Sequence, residues 1–379
     1  MLLLLRKTLK KGLLTLLIAG SYMTSTSYAA TFANDDLTPT AAGVANAVVA
    51  GSGHLTDAFY NPSALAWHEG VQAMFVNQTR YRTTKVDIAG VGYDGDTKPK
   101  IEDAFAVSWL PRGGSLGVAG SISTPYASRS NWSTAFPTLG FMDLEVRRYA
   151  LDTFWRVNNT LGVSAGLDIY DTSLRLNSSG AVFSGSDWSD VGAHAGLRWQ
   201  FMPFWTLGVH YRQGGNLSAS NNAGDVAAMR LPDELNIGIA HNLMDDEMLV
   251  ELDVKRSTWS SLTSLNVSNN GVNSQTNVAN LRDTTDVRLG ATWFWRHDTQ
   301  LRFGYAYEQG ANQAVGFQPL LADLTGHKIS LGFGGMMSTM HLDVTWTGAW
   351  YNDLDTTGVY AGKYSDERYN FMFSLSKKF

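Results

Sequence analysis

From about residue 71 to the C-terminus, apolar and polar positions alternate with a period of two, the mark of strands whose successive side chains face opposite sides of a sheet. Leu342, Val344, Trp346, Gly348 and Trp350 share one parity, and His341, Asp343, Thr345 and Thr347 share the other. Val250, Leu252 and Val254 oppose Glu251, Asp253 and Lys255 in the same way. Further upstream, Val191, Ala193, Ala195, Leu197 and Trp199 alternate with Gly192, His194, Gly196, Arg198 and Gln200. A soluble sandwich also alternates, but its strands average five or six residues, whereas these segments have the length needed to cross an apolar band of about 25 Å at a tilt. Trp109, Trp155, Trp199, Trp205, Trp293, Trp295, Trp346 and Trp350 lie near segment ends, where interfacial girdles form.

Short connections recur at 111–115, 158–159, 201–203, 243–246, 296–298 and 336–338. Longer polar ones lie between them at 85–100, 127–141, 177–188, 214–231, 261–281, 310–325 and 353–364. Six short and seven long connections join fourteen strands and leave both termini on the short-turn, periplasmic side. The expected fold is all-β and transmembrane: a 14-stranded antiparallel outer-membrane β-barrel over residues 71–379, expected as a monomer in contact with outer-membrane lipids. The last strand ends the chain on Phe379, which looks like the signal read by the barrel-assembly machinery.

Residues 30–70 break the alternation. Residues 38–50 are small and helix-compatible, and Phe32, Phe59, Tyr60 and Trp67 give the segment apolar surface to bury. A fourteen-stranded wall encloses more space than its own side chains fill, so a compact plug in the lumen is expected rather than a disordered tail. Before it, Arg6, Lys7, Lys10 and Lys11 precede an apolar stretch, followed by Ser27, Ala29 and Ala30, the order of a secretory signal. Cleavage is expected after Ala29, making residues 1–29 a signal peptide.

Composition narrows the classes. With no cysteine there is no disulfide scaffold or thiolate site, and beyond the first 20 residues no apolar run is long enough for a transmembrane helix. With 12 Trp, 15 Tyr and 17 Phe and only 17% charged residues, the chain is not disordered. Loss of the four leader cations takes the formal charge from -5 to -9, which argues against nucleic acid as a partner.

Ala30, Thr31 and Phe32, a Gly- and Ala-rich stretch, and then Asp57, Ala58, Phe59, Tyr60, Asn61, Pro62, Ser63, Ala64 and Leu65 resemble the hatch of the FadL-type outer-membrane transporters of long-chain fatty acids and aromatic hydrocarbons. The family's Asn-Pro-Ala stands here as Asn61, Pro62 and Ser63. Ser121 to Tyr126, Leu231 to Glu234, Ser257 to Ser260, Arg282 and Asp283 with Arg288 to Gly290, and Gly326 to Gly332 agree in order. The resemblance implies passive uptake of a hydrophobic molecule through a hatch-closed barrel, with movement of the hatch around Phe32 and lateral exit through a kinked third strand. Pro125 and Tyr126 occupy that position. Pro125 cannot donate to a ladder, so it marks either a gap in the wall or the place where the strand leaves for its loop.

Two outer loops are unusually apolar, one with Phe136, Leu139 and Phe141 and the other with Phe317 and Leu320. They either collect a greasy substrate or fold under neighbouring loops. Arg175 and Arg282 lie at strand–loop borders, either as carboxylate anchors or paired with acids such as Asp171 and Asp283. The Gly113, Gly114, Ser115, Leu116, Gly117 run matches a nucleophile elbow but sits in a strand–strand turn, so no catalytic residue is expected. Asp353, Asp355, Thr357 and Gly358 lack a closing Glu, with Tyr364 in its place, and no histidines pair at ligand spacing, so no metal or other cofactor is expected. A general diffusion porin for small solutes, or an aromatic hydrocarbon uptake channel, is the alternative function, and a surface adhesin a third.

Overall fold

The computed structural model describes residues 32–51, 54–95, 98–178, 181–244, 246–269, 272–277, 280–296 and 299–379. The expected signal peptide lies outside the described residues. Fourteen strands form the wall. They are β1 (Gly70–Ile88), β2 (Lys100–Leu110), β3 (Leu116–Asn131), β4 (Phe141–Arg156), β5 (Leu161–Ser178), β6 (Ala181–Met202) and β7 (Trp205–Arg212). They continue as β8 (Glu234–Leu243), β9 (Met248–Ser257), β10 (Thr284–Arg296), β11 (Thr299–Glu308), β12 (Gly326–Met337), β13 (Met340–Tyr351) and β14 (Gly362–Lys378). Each pairs antiparallel with its neighbour, and β14 closes on β1 from Gln72 opposite Lys378 to Asp87 opposite Lys363.

The parity read from the sequence decides which side of the wall each residue faces. Leu151, Leu167, Ile169, Ile237, Leu252, Leu289, Phe303, Leu331 and Phe371 project outward and are exposed to the surroundings of the barrel. Arg148, Asp168, Asp253, Lys255, Arg288, Arg302, Lys328 and Asp343 point inward and are buried. A charged residue on the outer face would stand in hydrocarbon, so the alternation follows directly from the membrane as solvent.

The connection expected as a loop at 177–188 is instead strand. β5 runs to Ser178 and β6 starts at Ala181, because Leu174, Leu176 and Phe183 carry the alternation above the membrane and bury into an apolar cap. Shorter hairpins occupy two other outer connections, Asn216–Ser220 with Val226–Arg230 and Ser264–Asn269 with Val272–Asn277. The cap also takes in Trp132, Leu139, Trp259, Phe317 and Leu320, so the apolar loop residues fold under one another.

The described residues between 32 and 69 lie against the inner face of the wall. The helix-compatible stretch 38–50 forms only one α-turn, Pro39–Ala42, with Thr38 Oγ1 accepting from the Ala41 amide. The helix ends there because Ala45 and Asn46 take left-handed backbone angles, with the Asn46 amide returning to the Ala41 carbonyl; beyond this turn the amides of Val48 and Val49 donate to Asp253 and that of Ala50 to Glu251, both on β9. A second turn, Asp57–Tyr60, leads into the 3-10 helix Pro62–Trp67, with Pro at its first position, where a missing N–H costs nothing. The wall accommodates this segment with glycine. A side chain at Gly208 would collide with the backbone of Val49 and Ala50, and one at Gly304 with that of Val44 and Ala45.

Candidate functional site

The third strand breaks its pairing where the sequence places Pro125. β3 pairs with β2 only from Val118 opposite Trp109 to Ile122 opposite Phe105, and above Ile122 the two strands part. On its other side β3 stays with β4, with a register shift between Ser123 and Tyr126. Pro125 therefore lies within the strand, at the irregularity.

Unpaired backbone cannot be left in a membrane wall. Here the inner segment supplies the partner. The Asn34 amide donates to the Pro125 carbonyl at 2.7 Å, and the Ala127 amide donates to the Phe32 carbonyl at 2.8 Å. Ala33 and Tyr126 form an antiparallel bridge between these bonds. The Phe32 ring meets Tyr126 edge-on at 5.8 Å and Trp259 at 5.1 Å, which ties this strap to the apolar cap above.

Cations crowd beside the gap. A cavity there is lined by Phe32, Ala33, Arg80, Arg82, Lys98, Lys100, Ala127, Ser128, Arg129 and Arg368. Part of this charge is answered: Arg80 pairs with Glu102 at 2.9 Å, and Arg82 and Arg368 share Asp366 at 3.0 and 2.9 Å. Lys100, on the free end of β2, reaches across to Asp143 on β4 at 3.3 Å. None of these cations was singled out from the sequence. Arg80 and Arg82 do stand at inward spacing on β1, but only the closure of β1 on β14 brings Arg82 opposite Arg368.

Residues 32–69 contain no Lys or Arg, and the wall supplies the positive partners. Asp35 takes Lys255 at 2.7 Å and Arg288 at 2.5 Å, and Asp36 takes Lys328 at 3.0 Å. Burial alone would raise the Asp35 carboxyl, but Lys255 and Arg288 overcome it and hold the group well below the usual carboxylate range. Burial is likewise overcome at Asp36, by Lys328 and hydrogen bonds from Asn46, Lys328 and Asn370. Arg148 and Arg212 both donate to the carbonyl of Phe59.

Asn61 fixes the segment to β6. Its amide nitrogen donates to the carbonyls of Val49 at 2.7 Å and Leu197 at 3.1 Å, and its oxygen accepts from Ser63 Oγ at 2.7 Å. Pro62 then opens the 3-10 helix. The hydroxyl by which Ser63 departs from the family pattern thus lands on Asn61.

The remaining candidates are scattered. Leu139, Phe317 and Leu320 are buried in the cap and Phe136 packs at its edge against Tyr360, whereas Phe141 starts β4 facing outward. Arg175 is exposed on the outer face and pairs with Asp143 at 2.6 Å, not with Asp171, because the β4–β5 register places Asp143 directly opposite it. Arg282 donates through Nε to the Gly310 carbonyl, while Asp283 receives Arg256 and Ser260. Phe379 is exposed at the end of β14, its amide bonded to Val71.

Residues 202–372 match the family described as outer membrane protein transport protein (OMPP1/FadL/TodX). The fold is similar to that of a Pseudomonas aeruginosa FadL homologue, with TM-score 0.81 at 15% identity, covering 92% of this chain and 100% of that one. It is also similar to the P. putida toluene transporter TodX, with TM-score 0.71 at 16% identity over 90% and 98% of the two chains. The Ralstonia pickettii toluene transporter TbuX gives TM-score 0.66 at 17% identity over 90% and 98%. No curated protein matches.

Proposed function

We propose that this chain is an outer-membrane transport protein of the FadL/TodX type, not an enzyme, and that it takes up long-chain fatty acids or similar hydrophobic acids by passive diffusion. The observation that carries the reading is the gap between β2 and β3, closed from inside by Phe32 to Asn34 and flanked by a basic cavity. The outer loops bring apolar side chains together above it, and an acyl chain gains about 0.8 kcal/mol for each methylene buried there without needing a fixed geometry. The substrate's carboxylate finds cations at the level of the gap, where an arginine offers a bidentate partner. Residues 32–69 act as the hatch. When Phe32 leaves its place, the Pro125 carbonyl and the Ala127 amide lose their partners and the wall opens sideways, releasing the molecule into the membrane.

Uptake of a neutral aromatic hydrocarbon is the second reading, favoured by the fold shared with TodX and TbuX, each named a toluene transporter. Such a substrate makes no use of the cations. A diffusion porin needs a continuous wet lumen, whereas residues 32–69 lie across this one.

Expression in a strain lacking its own transporter tests the reading. Labelled long-chain fatty acid is expected to enter, and Pro125→Val, which favours regular pairing, to slow entry without changing assembly. Uptake of toluene but no fatty acid overturns the choice of substrate, swelling of liposomes by sugars supports a pore instead, and an unchanged rate in Pro125→Val removes the lateral route.

A further inference from the structure

The hatch segment that closes the gap also borders three cavities that contain charged side chains. Phe32 and Ala33 border the basic cavity beside the gap. Asn34 and Asp35 border a second, with Phe59, Tyr126, Lys255 and Arg288. Residues 33–36 border a third, with Arg80, Lys328 and Arg368, so the first and third share Ala33, Arg80 and Arg368. One segment of five residues, 32–36, is the common partition, and both its acids end on wall cations.

Asp35 differs from an ordinary structural ion-pair partner in its exposure. Its side chain is 24% exposed, on the cavity side, whereas those of Lys255 and Arg288 behind it are 5% and 3% exposed. The two cations keep wall partners of their own, Lys255 with Glu234 at 2.8 Å and Arg288 with Asp286 at 3.2 Å. Among the described residues, the carboxylate they share is that of Asp35 in the hatch.

We infer that Asp35 stands in for the substrate's carboxylate: an incoming fatty acid exchanges its own carboxylate for that of Asp35 on Lys255 and Arg288, and the exchange frees the strand that closes the gap. One anion replaces another, so no proton moves and two nearly buried cations are never left without their shared partner, which would be costly. A neutral molecule of the same length cannot make the exchange. This inference rests on the acid-uptake reading above and adds to it the residue that selects acids over neutral lipids.

The test is binding of a long-chain fatty acid and of the alcohol of the same chain length to purified full-length barrel, by displacement of an environment-sensitive fluorescent lipid. Asp35→Asn keeps the shape and removes the competing charge. It is expected to tighten the acid about five- to tenfold, as a self-occupied site becomes available, and to change the alcohol less than twofold. Adding Lys255→Gln and Arg288→Gln is expected to bring the acid down to the alcohol's affinity, with heat-modifiable mobility in electrophoresis confirming that each barrel is folded. Equal tightening of acid and alcohol makes the strand a mere obstruction and overturns the exchange, as does unchanged or weaker acid binding in Asp35→Asn. If wild-type protein binds the alcohol and the acid equally and Asp35→Asn alters neither, hydrophobic uptake stands and the exchange falls. If neither ligand binds any variant, both readings fall.

Discussion

Trp132, in the connection after β3, donates its indole N–H to the carbonyl of Pro319 at 3.0 Å. The bond joins two outer loops far apart in sequence, and the indole is completely buried between Tyr364 and the loop backbone. Both apolar loops are therefore fastened to one another within the cap.

Trp132→Phe is expected to loosen the cap without disturbing the wall. It keeps an aromatic ring but leaves the Pro319 carbonyl without its donor, a cost of about 1–3 kcal/mol. Hydrogen exchange should quicken in residues 309–325 while the melting of the barrel holds. Equal protection in mutant and wild type would show that the loops are held by packing alone.

Asn61→Ala is expected to release the hatch. It removes donors from two carbonyls, Val49 and Leu197, and the acceptor of Ser63, for a loss of roughly 2–4 kcal/mol concentrated on one segment. Trypsin has no site in 32–69, so chymotrypsin, which cuts at Phe59 and Tyr60, is the probe. Faster cleavage there, with intact wall strands and higher single-channel conductance, is the expected outcome; wild-type resistance would place the anchoring elsewhere.

The wall was legible because its information is local. Period two fixes which face each residue takes, and the short turns fix the number of strands, so Leu289 and Arg288 are assigned opposite sides without any knowledge of the fold. Pro125 was visible for the same reason, since its missing N–H is a property of one residue. The partners of Asp35 were not: Lys255 and Arg288 follow it by more than two hundred residues and meet it only when β9 and β10 stand side by side. The path of the helix-compatible stretch 38–50 was hidden in the same way, because the acceptors of the Val48 to Ala50 amides, Asp253 and Glu251, belong to a distant strand.

Acid should unseat the hatch near the periplasmic end. Burial, and next the Arg302 guanidinium, push His54 down to about 4, so the seated hatch holds the imidazole neutral. Above its ordinary value of 6.5 the seated and released forms are both neutral and the full stability is present. Between 6.5 and about 4 the released form takes a proton that the seated one refuses, so stability falls with pH, by up to about 3 kcal/mol and less for a ring that is only half-buried. Conductance measured from pH 7.5 to 4.5 should rise as pH falls, and His54→Asn should flatten the profile; an unflattened rise assigns it to another group.

A cross-link between hatch and wall separates a hatch that moves from one that merely fills space. Ala33 and Tyr126 face each other as a pair without mutual hydrogen bonds, the neighbouring residues carrying them: Ala127 to Phe32 on one side and Asn34 to Pro125 on the other. In antiparallel geometry that is the closer kind of pair, with Cα atoms about 4.5 Å apart, within the range a disulfide bridges. The chain has no cysteine of its own, so Ala33→Cys with Tyr126→Cys introduces the only two thiols and no native bridge competes. Outside the cytoplasm the pair oxidises. Once bridged, Phe32 cannot leave Trp259, and the Pro125 carbonyl and Ala127 amide keep their partners, so uptake of a hydrophobic acid should stop and return when a reductant is added. Because the reduced double variant carries the same substitutions, its recovery isolates the effect of the bridge from that of losing the tyrosine ring. Uptake that continues at the reduced rate with the bridge closed would mean that the molecule passes without moving this strand, and the gap between β2 and β3 would then have no part in its path.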